Sequence, residues 1–206
     1  MPASIKDLTG PKWKSKIAFA PTSPGFIAQL DILMHLWGKE ATTDWLNKFL
    51  ANDPIAYYPA NAKEAHFMST ELLRAVSQKE ALLTPTTTRG YYLFKVKNPD
   101  AHIEMYSYPN PHDAGNVLLF TGAAINKQSS KKVQAEKLIE FLISPTTQNY
   151  FVEKLYGYPV LKNFPANKDL PPLEKVSLAK VDPAWLDDNV EPVIELLQKL
   201  KENKKL

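Results

Sequence analysis

Two adjacent tyrosines, Tyr91 and Tyr92, are the residues of this 206-residue chain whose type and spacing best suit ligand chemistry. A phenol can hydrogen-bond a ligand, and two phenolates could bind a hard trivalent cation, whose charge displaces protons that otherwise leave near pH 10. Neighbours in mid-helix point about 100° apart, but at a helix's first turn beside a cleft both rings can lean over the end. The alternative is aromatic packing, since a second pair, Tyr57-Tyr58, has no such setting.

The turn Thr22–Gly25 is the second candidate, because it lies between a predicted strand and a predicted helix. Backbone N–H groups at a helix start carry about half a positive charge, so Ser23 and Gly25 could hold an anion there. The alternative is that Ser23 only caps the helix, with Pro24 at the first helical position, where its missing N–H costs nothing.

Asn61 and Arg89 stand at equivalent junctions, after the next two predicted strands. The carboxyl ends of parallel strands lie along one edge of a sheet, where open α/β folds bind ligands. Ser23, Asn61 and Arg89 are therefore expected to converge on one crevice that accepts an anion.

The elements that must position these residues alternate between short strands and amphipathic helices. Each of the first three predicted strands is followed by a turn and a helical pattern, which favours a parallel or mostly parallel sheet covered by helices. The predicted strands are 16–20, 55–58 and 81–84, and the helical patterns are 26–37, 40–52, 61–78 and a short helix through Tyr91 and Tyr92.

The second half of the chain has a different pattern. Two more strands are predicted at 102–108 and 116–125, on either side of a turn cluster. A helix capped by Ser129 or Ser130 and a helix starting at Ser144-Pro145 and closed by Gly157 follow. The proline-rich segment 158–182 predicts an irregular crossing, and a last helix begins at Asp182 or Asp187 and runs to Lys205.

Simple counts exclude most enzyme motifs. The seven glycines form no G-x-G, which excludes the usual dinucleotide fingerprint, P-loop and nucleophile elbow, and there is no cysteine. The four histidines show no H-x-x-x-H spacing. A net charge of +3 spread along the chain predicts no nucleic-acid partner. No apolar run approaches about 18 residues, so no membrane insertion is expected.

Several segments together resemble the ferric-iron-binding proteins of bacterial ABC transporters. The first-half segments are SIKDLTGPKWKSKIAFAPTSPGF, ATTDWLNKFLAND, YYPAN and RGYYLFK, and the second-half segments are HDAGNVLLFTGAAINKQSSKKVQAEKLIEFLISPTTQNYF and YGYPV. The resemblance runs nearly end to end, in order and with few gaps.

This resemblance implies an α/β fold of the type 2 periplasmic-binding-protein class, in which two lobes clamp a ligand across a hinge. It implies one complete lobe plus part of the other, with a mixed sheet flanked by helices, in a chain that lacks the N-terminal part of the first lobe. The implied regions are 14–108 for the second lobe, 109–160 for the hinge return and first-lobe remnant, and 161–206 for a C-terminal crossing segment and helix packing across the lobes.

The resemblance also implies roles for individual residues. Tyr91 and Tyr92 fall on the family's iron-binding tyrosines, the turn Thr22–Gly25 on a loop that in many members holds phosphate or carbonate, and Asn61 on a polar residue that helps to hold that anion. Arg89 stands where several members carry asparagine, and could hold the anion or offset phenolate charge.

Three departures from the family pattern bear on this site. Pro24 removes one backbone donor, and the strand before Arg89 reads ALLTPTTT, so its loop differs. The family's other ligands, usually a histidine and an acidic or tyrosine residue, belong to the segment that this chain is expected to lack.

The function implied is the solute-binding component of an ABC importer, which binds Fe³⁺ with carbonate or phosphate, delivers it to a permease, and is not an enzyme. It implies a periplasmic or extracellular protein, soluble or lipoprotein-like; the start MPASIKDL is neither a signal nor a transit peptide. Metal-independent binding of a small organic or phosphorus-containing anion stays open. Self-association also stays open, since an incomplete lobe exposes apolar surface.

Overall fold

A computed structural model describes residues 1–59, 68–110, 113–182 and 190–202, in two compact units. Unit 1 comprises 1–118 and 176–206, and unit 2 comprises 119–175. Within the described residues, unit 1 contains strands β1 (Ala18–Phe19) and β2 (Ile55–Ala56) and helices α1 (Pro24–Trp37), α2 (Lys39–Leu50), α3 (Met68–Ser77), α4 (Thr88–Lys97) and α7 (Glu191–Glu202). Unit 2 contains helices α5 (Lys132–Leu142) and α6 (Pro145–Leu155). Short 3-10 helices lie at Ile5–Thr9, Pro11–Trp13 and Leu173–Lys175.

Three chain segments of unit 1 run parallel, as the alternating pattern predicts. Strand β1 pairs with β2, with Ala18 opposite Ile55, and Ile17 forms a parallel bridge to Leu83 on its other side. The Ala18 N–H donates to the Leu83 carbonyl at 2.9 Å. The pairing described is parallel throughout and short, so the mixed sheet that was expected is not seen in these residues.

Strand β1 alternates its side chains between two helical layers. Ile17 and Phe19 belong to a core cluster with α1, α2 and α7, in which Phe19 packs edge-on against Phe26 and Phe49. Ala18 and Ala20 point the other way, onto α3. This period of two places the strand between two helical layers, with α1, α2 and α7 on one side and α3 on the other.

Helix ends follow the predicted capping chemistry in most places. Ser23 and Ser144 cap α1 and α6, each followed by proline, and α1 ends at Gly38 with φ of 84°. The left-handed residue that ends α6 is Tyr156, with φ of 53°, so the prediction that Gly157 closes this helix is wrong by one residue. The Gly157 N–H donates to Phe151 and completes the turn.

Several predicted elements of the second half are not formed as expected. Residues 102–108 and 116–125 are not strands, because no neighbouring strand pairs with them in the described chain. Helix α5 begins after Lys131 without a side-chain cap, although Ser129 accepts a hydrogen bond from the Lys131 N–H. Asp182 is not helical, and the last helix is described from Glu191.

Unit 2 is held mainly by polar contacts around α6. Gln148 donates to the Leu142 carbonyl and accepts from the Val160 N–H, and Asn167 donates to the Val152 carbonyl. The segment after α6 is irregular, as its prolines predict. Among the described residues of the whole chain, no helix combines the length and apolar character needed to cross a membrane.

Candidate functional site

The carboxyl edge of the sheet is the place where the predicted ligand residues follow the strands. Strand β1 leads through Ser23 into α1, and the bridged segment at Leu83 leads through Thr87 into α4. Both helices therefore begin at the same edge of unit 1, as predicted. Asn61 lies outside the described residues, so its place in the crevice stays a prediction.

The Ser23 turn caps α1 and leaves the backbone N–H of Gly25 without a hydrogen-bond partner among the described residues. Ser23 Oγ accepts from the Phe26 N–H at 3.2 Å, and Pro24 has no N–H. The Gly25 N–H has no hydrogen-bond partner among the residues described, and Gly25 is exposed. The capping interpretation is confirmed as local structure, while an anion at Gly25 stays a prediction.

Tyr91 and Tyr92 lie on α4, directly after the third parallel segment. Their ring centroids are 5.1 Å apart and the ring planes are 83° from parallel. They are the fourth and fifth residues of α4 and so lie just past its first turn, within the helix predicted through them. Both are half-buried, so each ring keeps part of its surface in contact with solvent.

Tyr91 also takes part in ordinary packing. Its ring packs against a cluster formed by Leu73, Phe94 and Ile103, and its hydroxyl donates to the Ile103 carbonyl at 3.4 Å. That hydrogen bond is long and weak. A ligand at the Tyr91 oxygen would therefore replace a poor contact while the ring stayed in place.

Thr87 and Gly90 position the tyrosine pair and were not singled out from sequence. Thr87 Oγ1 caps α4 by accepting from the Gly90 N–H at 3.0 Å. A Cβ on Gly90 would lie 3.1 Å from Thr87 Oγ1 and 3.3 Å from the Ser69 Cβ of α3. The start of α4 thus packs closely on α3, and the Thr-x-x-Gly spacing is the sequence signal that could have revealed the cap.

Arg89 is exposed in the first turn of α4, and its guanidinium pairs with no described residue. A cation at a helix N-terminus is disfavoured by the helix dipole, and an anion placed between them would offset this. The arrangement is therefore suited to an anion, although none of the described geometry requires one.

Three other tyrosines, Tyr57, Tyr58 and Tyr108, lie in surroundings that hold the phenol in its protonated form. Partial burial and a hydrogen bond to Glu80 raise the pKa of Tyr57, and burial raises the pKa of Tyr58. Burial, then the charge of Asp113, raises the pKa of Tyr108 much further. In the described part of the chain, no three histidine, aspartate or glutamate side chains cluster so as to hold a metal ion.

Comparison with known proteins gives one family and several relatives. A family model described as bacterial extracellular solute-binding protein matches residues 1–184. Iron uptake protein A1 of Synechocystis is 27% identical over 195 residues, covering 88% of this chain and 51% of the relative. The major ferric iron-binding protein of Neisseria meningitidis is 26% identical over 182 residues, covering 86% and 51%. The chain spans about half the length of the curated relatives it matches.

Solved structures show the same fold. Iron-bound HitA from Pseudomonas aeruginosa aligns with a TM-score of 0.84 at 24% identity, covering 97% of this chain and 61% of that chain. The Bordetella ferric binding protein aligns with a TM-score of 0.72 at 24% identity, covering 96% and 62%. These likenesses confirm the predicted fold class.

Proposed function

Since the chain belongs to the bacterial extracellular solute-binding protein family, we propose that it is the solute-binding component of an ABC importer whose cargo is ferric iron. The curated relatives are named as iron-uptake and ferric-iron-binding proteins, which supports this cargo. We propose an ABC permease as the partner that receives it, in the periplasm or outside the cell. The work done is capture and release, with no covalent bond made or broken.

The observation that carries the cargo proposal is the perpendicular tyrosine pair at the carboxyl edge of the sheet. Two phenolate oxygens from Tyr91 and Tyr92 suit a hard trivalent cation. The charge of Fe³⁺ would lower the pKa of each phenol far enough for the proton to leave at neutral pH. On Tyr91, the long hydrogen bond from its hydroxyl to the Ile103 carbonyl is the contact that the iron would replace.

The same edge offers groups for a carbonate or phosphate beside the iron. Two phenolates leave one positive charge on Fe³⁺, which an anion would neutralise. We propose that the Gly25 N–H and the Arg89 guanidinium hold this anion, with Ser23 shaping the turn and Asn61 contributing as the family resemblance implies. Ligands beyond the two tyrosines would come from outside this set.

Two features of the proposed mechanism concern the molecule as a whole. We propose that the lobes close over the cargo by a hinge motion, with 14–108 as the second lobe, 109–160 as the hinge return and 161–206 as the C-terminal crossing.

We also propose that copies of the chain associate with each other through unit 2, whose apolar side chains are widely exposed.

A ferric titration tests the iron site directly. Ferric nitrilotriacetate is added with bicarbonate or phosphate, and visible absorption is recorded. We expect a phenolate-to-iron charge-transfer band that disappears when Tyr91→Phe and Tyr92→Phe are combined. The matched control combines Tyr57→Phe with Tyr58→Phe, and should keep the band. A band that survives in the Tyr91 and Tyr92 variant, or fades equally in both, would contradict the site.

The exposed Arg89, whose guanidinium pairs with none of the described residues, supports a second candidate, binding of a small organic or phosphorus-containing anion without metal. Titration calorimetry with methylphosphonate in the presence of a strong iron chelator tests it. Binding that Arg89→Gln weakens, and that the Tyr91 and Tyr92 variant retains, would favour this candidate over iron. No heat of binding under these conditions would remove it.

A further inference from the structure

We propose that Lys95 is a positioning residue for Tyr91, because it ties the loop 98–103 to α4 and this loop holds the Tyr91 ring. The role rests on the proposed iron site, since it concerns the orientation of one of the two phenols in that site. Lys95 is not itself a member of the site, and all the residues concerned lie within unit 1.

Lys95 lies half-buried in the last turn of α4, and its ammonium group is bonded to the loop that follows the helix. Its Nζ donates to the Pro99 carbonyl at 3.0 Å and to the Ala101 carbonyl at 2.8 Å. Hydrogen bonds from a charged donor are roughly twice as strong as those between neutral groups. Lys95 therefore holds this loop folded back against the helix that it leaves.

Further hydrogen bonds fix the course of the loop from the helix end to Ile103. Asn98 donates through its side chain to the Phe94 carbonyl at 2.9 Å. The Ala101 N–H donates to the Asn98 carbonyl at 3.1 Å, and the Ile103 N–H donates to the Ala101 carbonyl at 3.0 Å. The Ala101 carbonyl thus accepts from both Lys95 and Ile103, so the lysine acts on the position of Ile103 through a single shared group.

Ile103 contacts Tyr91 in two ways. Its side chain is buried in the cluster with Leu73 and Phe94 against which the Tyr91 ring packs. Its carbonyl accepts from the Tyr91 hydroxyl at 3.4 Å, which is too long to hold the phenol by itself. The orientation of the ring therefore depends on the packing, and the packing depends on where the loop places Ile103.

The helix brings the lysine and the tyrosine to the same loop. Tyr91 and Lys95 are four residues apart in α4, so they are neighbours on one face of the helix. Tyr92 meets the Tyr91 ring edge-on, with ring centroids 5.1 Å apart, so a change in the orientation of Tyr91 alters the arrangement of both phenols. Loss of a residue that orients a metal ligand typically weakens metal binding by roughly 10–100-fold.

Two lysine variants on the same helix test this role. Lys95→Met keeps the length of the side chain and removes its donors, whereas Lys97→Met, the matched control, removes the same charge from an exposed position two residues away. Iron affinity is measured by competition with citrate in the presence of bicarbonate, with the charge-transfer band as the signal. We expect Lys95→Met to weaken iron binding by about tenfold or more and to shift the band maximum. Lys97→Met should match wild type.

The conservative variant provides a rescue. Lys95→Arg keeps the positive charge and several N–H donors, so it should recover most of the affinity that Lys95→Met loses. Far-UV circular dichroism checks that each variant is folded. If Lys95→Met is not, Lys95→Gln, whose side chain is polar but shorter, takes its place.

A readout without iron follows the Tyr91 ring itself. The chain is labelled with meta-fluorotyrosine, and the fluorine NMR resonance of Tyr91 is assigned by its loss in Tyr91→Phe. Lys95→Met should move this resonance, because the loop that surrounds the ring is no longer tied to the helix. Lys97→Met should leave the resonance unchanged.

The outcomes separate the positioning role from the iron site. Wild-type iron affinity in Lys95→Met, or an equal loss in both lysine variants, would overturn the positioning role and leave the iron site standing. If wild type binds no iron, the iron site fails, and the fluorine resonance alone decides whether Lys95 orients Tyr91. A resonance that does not move in Lys95→Met would overturn the positioning role in either case.

Discussion

Unit 1 and unit 2 contain amphipathic helices of similar length that are buried to very different degrees. Helix α1 buries Phe26, Leu30, Ile32 and Leu33 in unit 1. Helix α5 in unit 2 buries none of its side chains, although its sequence is as strongly patterned. What separates the two is the sheet: β1 supplies unit 1 with a buried layer, and no strand is described in unit 2.

The difference shows which elements depend on a partner. A helix satisfies its backbone hydrogen bonds within itself, so α5 forms although none of its side chains is fully buried among the described residues. A strand must pair with another chain segment, and an unpaired polar backbone is costly unless solvated. The predicted strands 16–20 and 55–58 pair with each other in unit 1. The segment 116–125 has a similar strand-like pattern of side chains, but it pairs with no strand among the described residues.

The largest expected effect is the contrast between two phenylalanines, one in each unit. Phe19 is 1% exposed and packs against two other rings, so Phe19→Ala should cost about 3–5 kcal/mol of unfolding free energy. Phe120 is 58% exposed, so Phe120→Ala should change the stability of the monomer by less than about 0.5 kcal/mol. Urea unfolding at low protein concentration measures both.

Fluorescence and circular dichroism together assign each transition to its unit. Trp13, Trp37 and Trp45 lie in unit 1, and residues 119–175 contain no tryptophan, so fluorescence reports unit 1 while far-UV circular dichroism reports both. If Phe19→Ala and Phe120→Ala lowered the free energy of unfolding equally, the difference in burial between the two rings would not determine stability.

The sequence predicts the secondary structure of unit 1 better than the strands expected in the second half of the chain. The three parallel segments, the Ser23 cap and the Gly38 helix end are local patterns, and the structure confirms them. The prediction of strands at 102–108 and 116–125 was wrong, because a two-residue period of side chains does not show whether a neighbouring strand is present to pair with them. Tyr108, for example, is tied by Asn116, whose side chain both accepts from its N–H and donates to its carbonyl, instead of by a strand.

For the candidate site, the position of the tyrosines along the chain could be predicted, but their packing could not. Placing Tyr91 and Tyr92 on a helix after the third strand needs only the chain order, and this is confirmed. Their mutual angle, the contact of Tyr91 with Ile103 and the close approach of Gly90 to Ser69 arise from packing between distant segments. No local pattern carries such information, so these features could not be predicted.

Gly90 in unit 1 and Gly122 in unit 2 differ in the space around them in the same way as the two phenylalanines. A Cβ on Gly90 would be within 3.3 Å of Ser69, whereas a Cβ on Gly122 would meet nothing within 4 Å. Gly90→Leu should therefore cost about 1–3 kcal/mol through overpacking between α3 and α4, and should weaken the charge-transfer band by moving the tyrosines. Gly122→Leu should be nearly neutral in the monomer. Similar losses in thermal unfolding would contradict the tight approach.

The smallest effect expected is a pH dependence that belongs to unit 1 and arises from Tyr108. Its ring packs so closely on Gly115 that a Cβ there would have no room, and burial followed by the charge of Asp113 raises the pKa of its phenol. The folded chain therefore keeps this proton where the unfolded chain, with a phenol pKa of about 10, releases it.

The sign of the effect follows from that difference. The contribution of Tyr108 is fully present below about pH 10 and is lost as the pH rises, at up to about 1.4 kcal/mol per pH unit. Lysines titrate in the same range, so the informative quantity is the difference between wild type and Tyr108→Phe. Urea unfolding followed by tryptophan fluorescence from about pH 9 to about pH 11 should give a shallower decline in the variant, since phenylalanine has no proton to lose. Parallel declines would mean that the Tyr108 phenol ionises equally easily in both states, and that the interior of unit 1 around Asp113 is open to water.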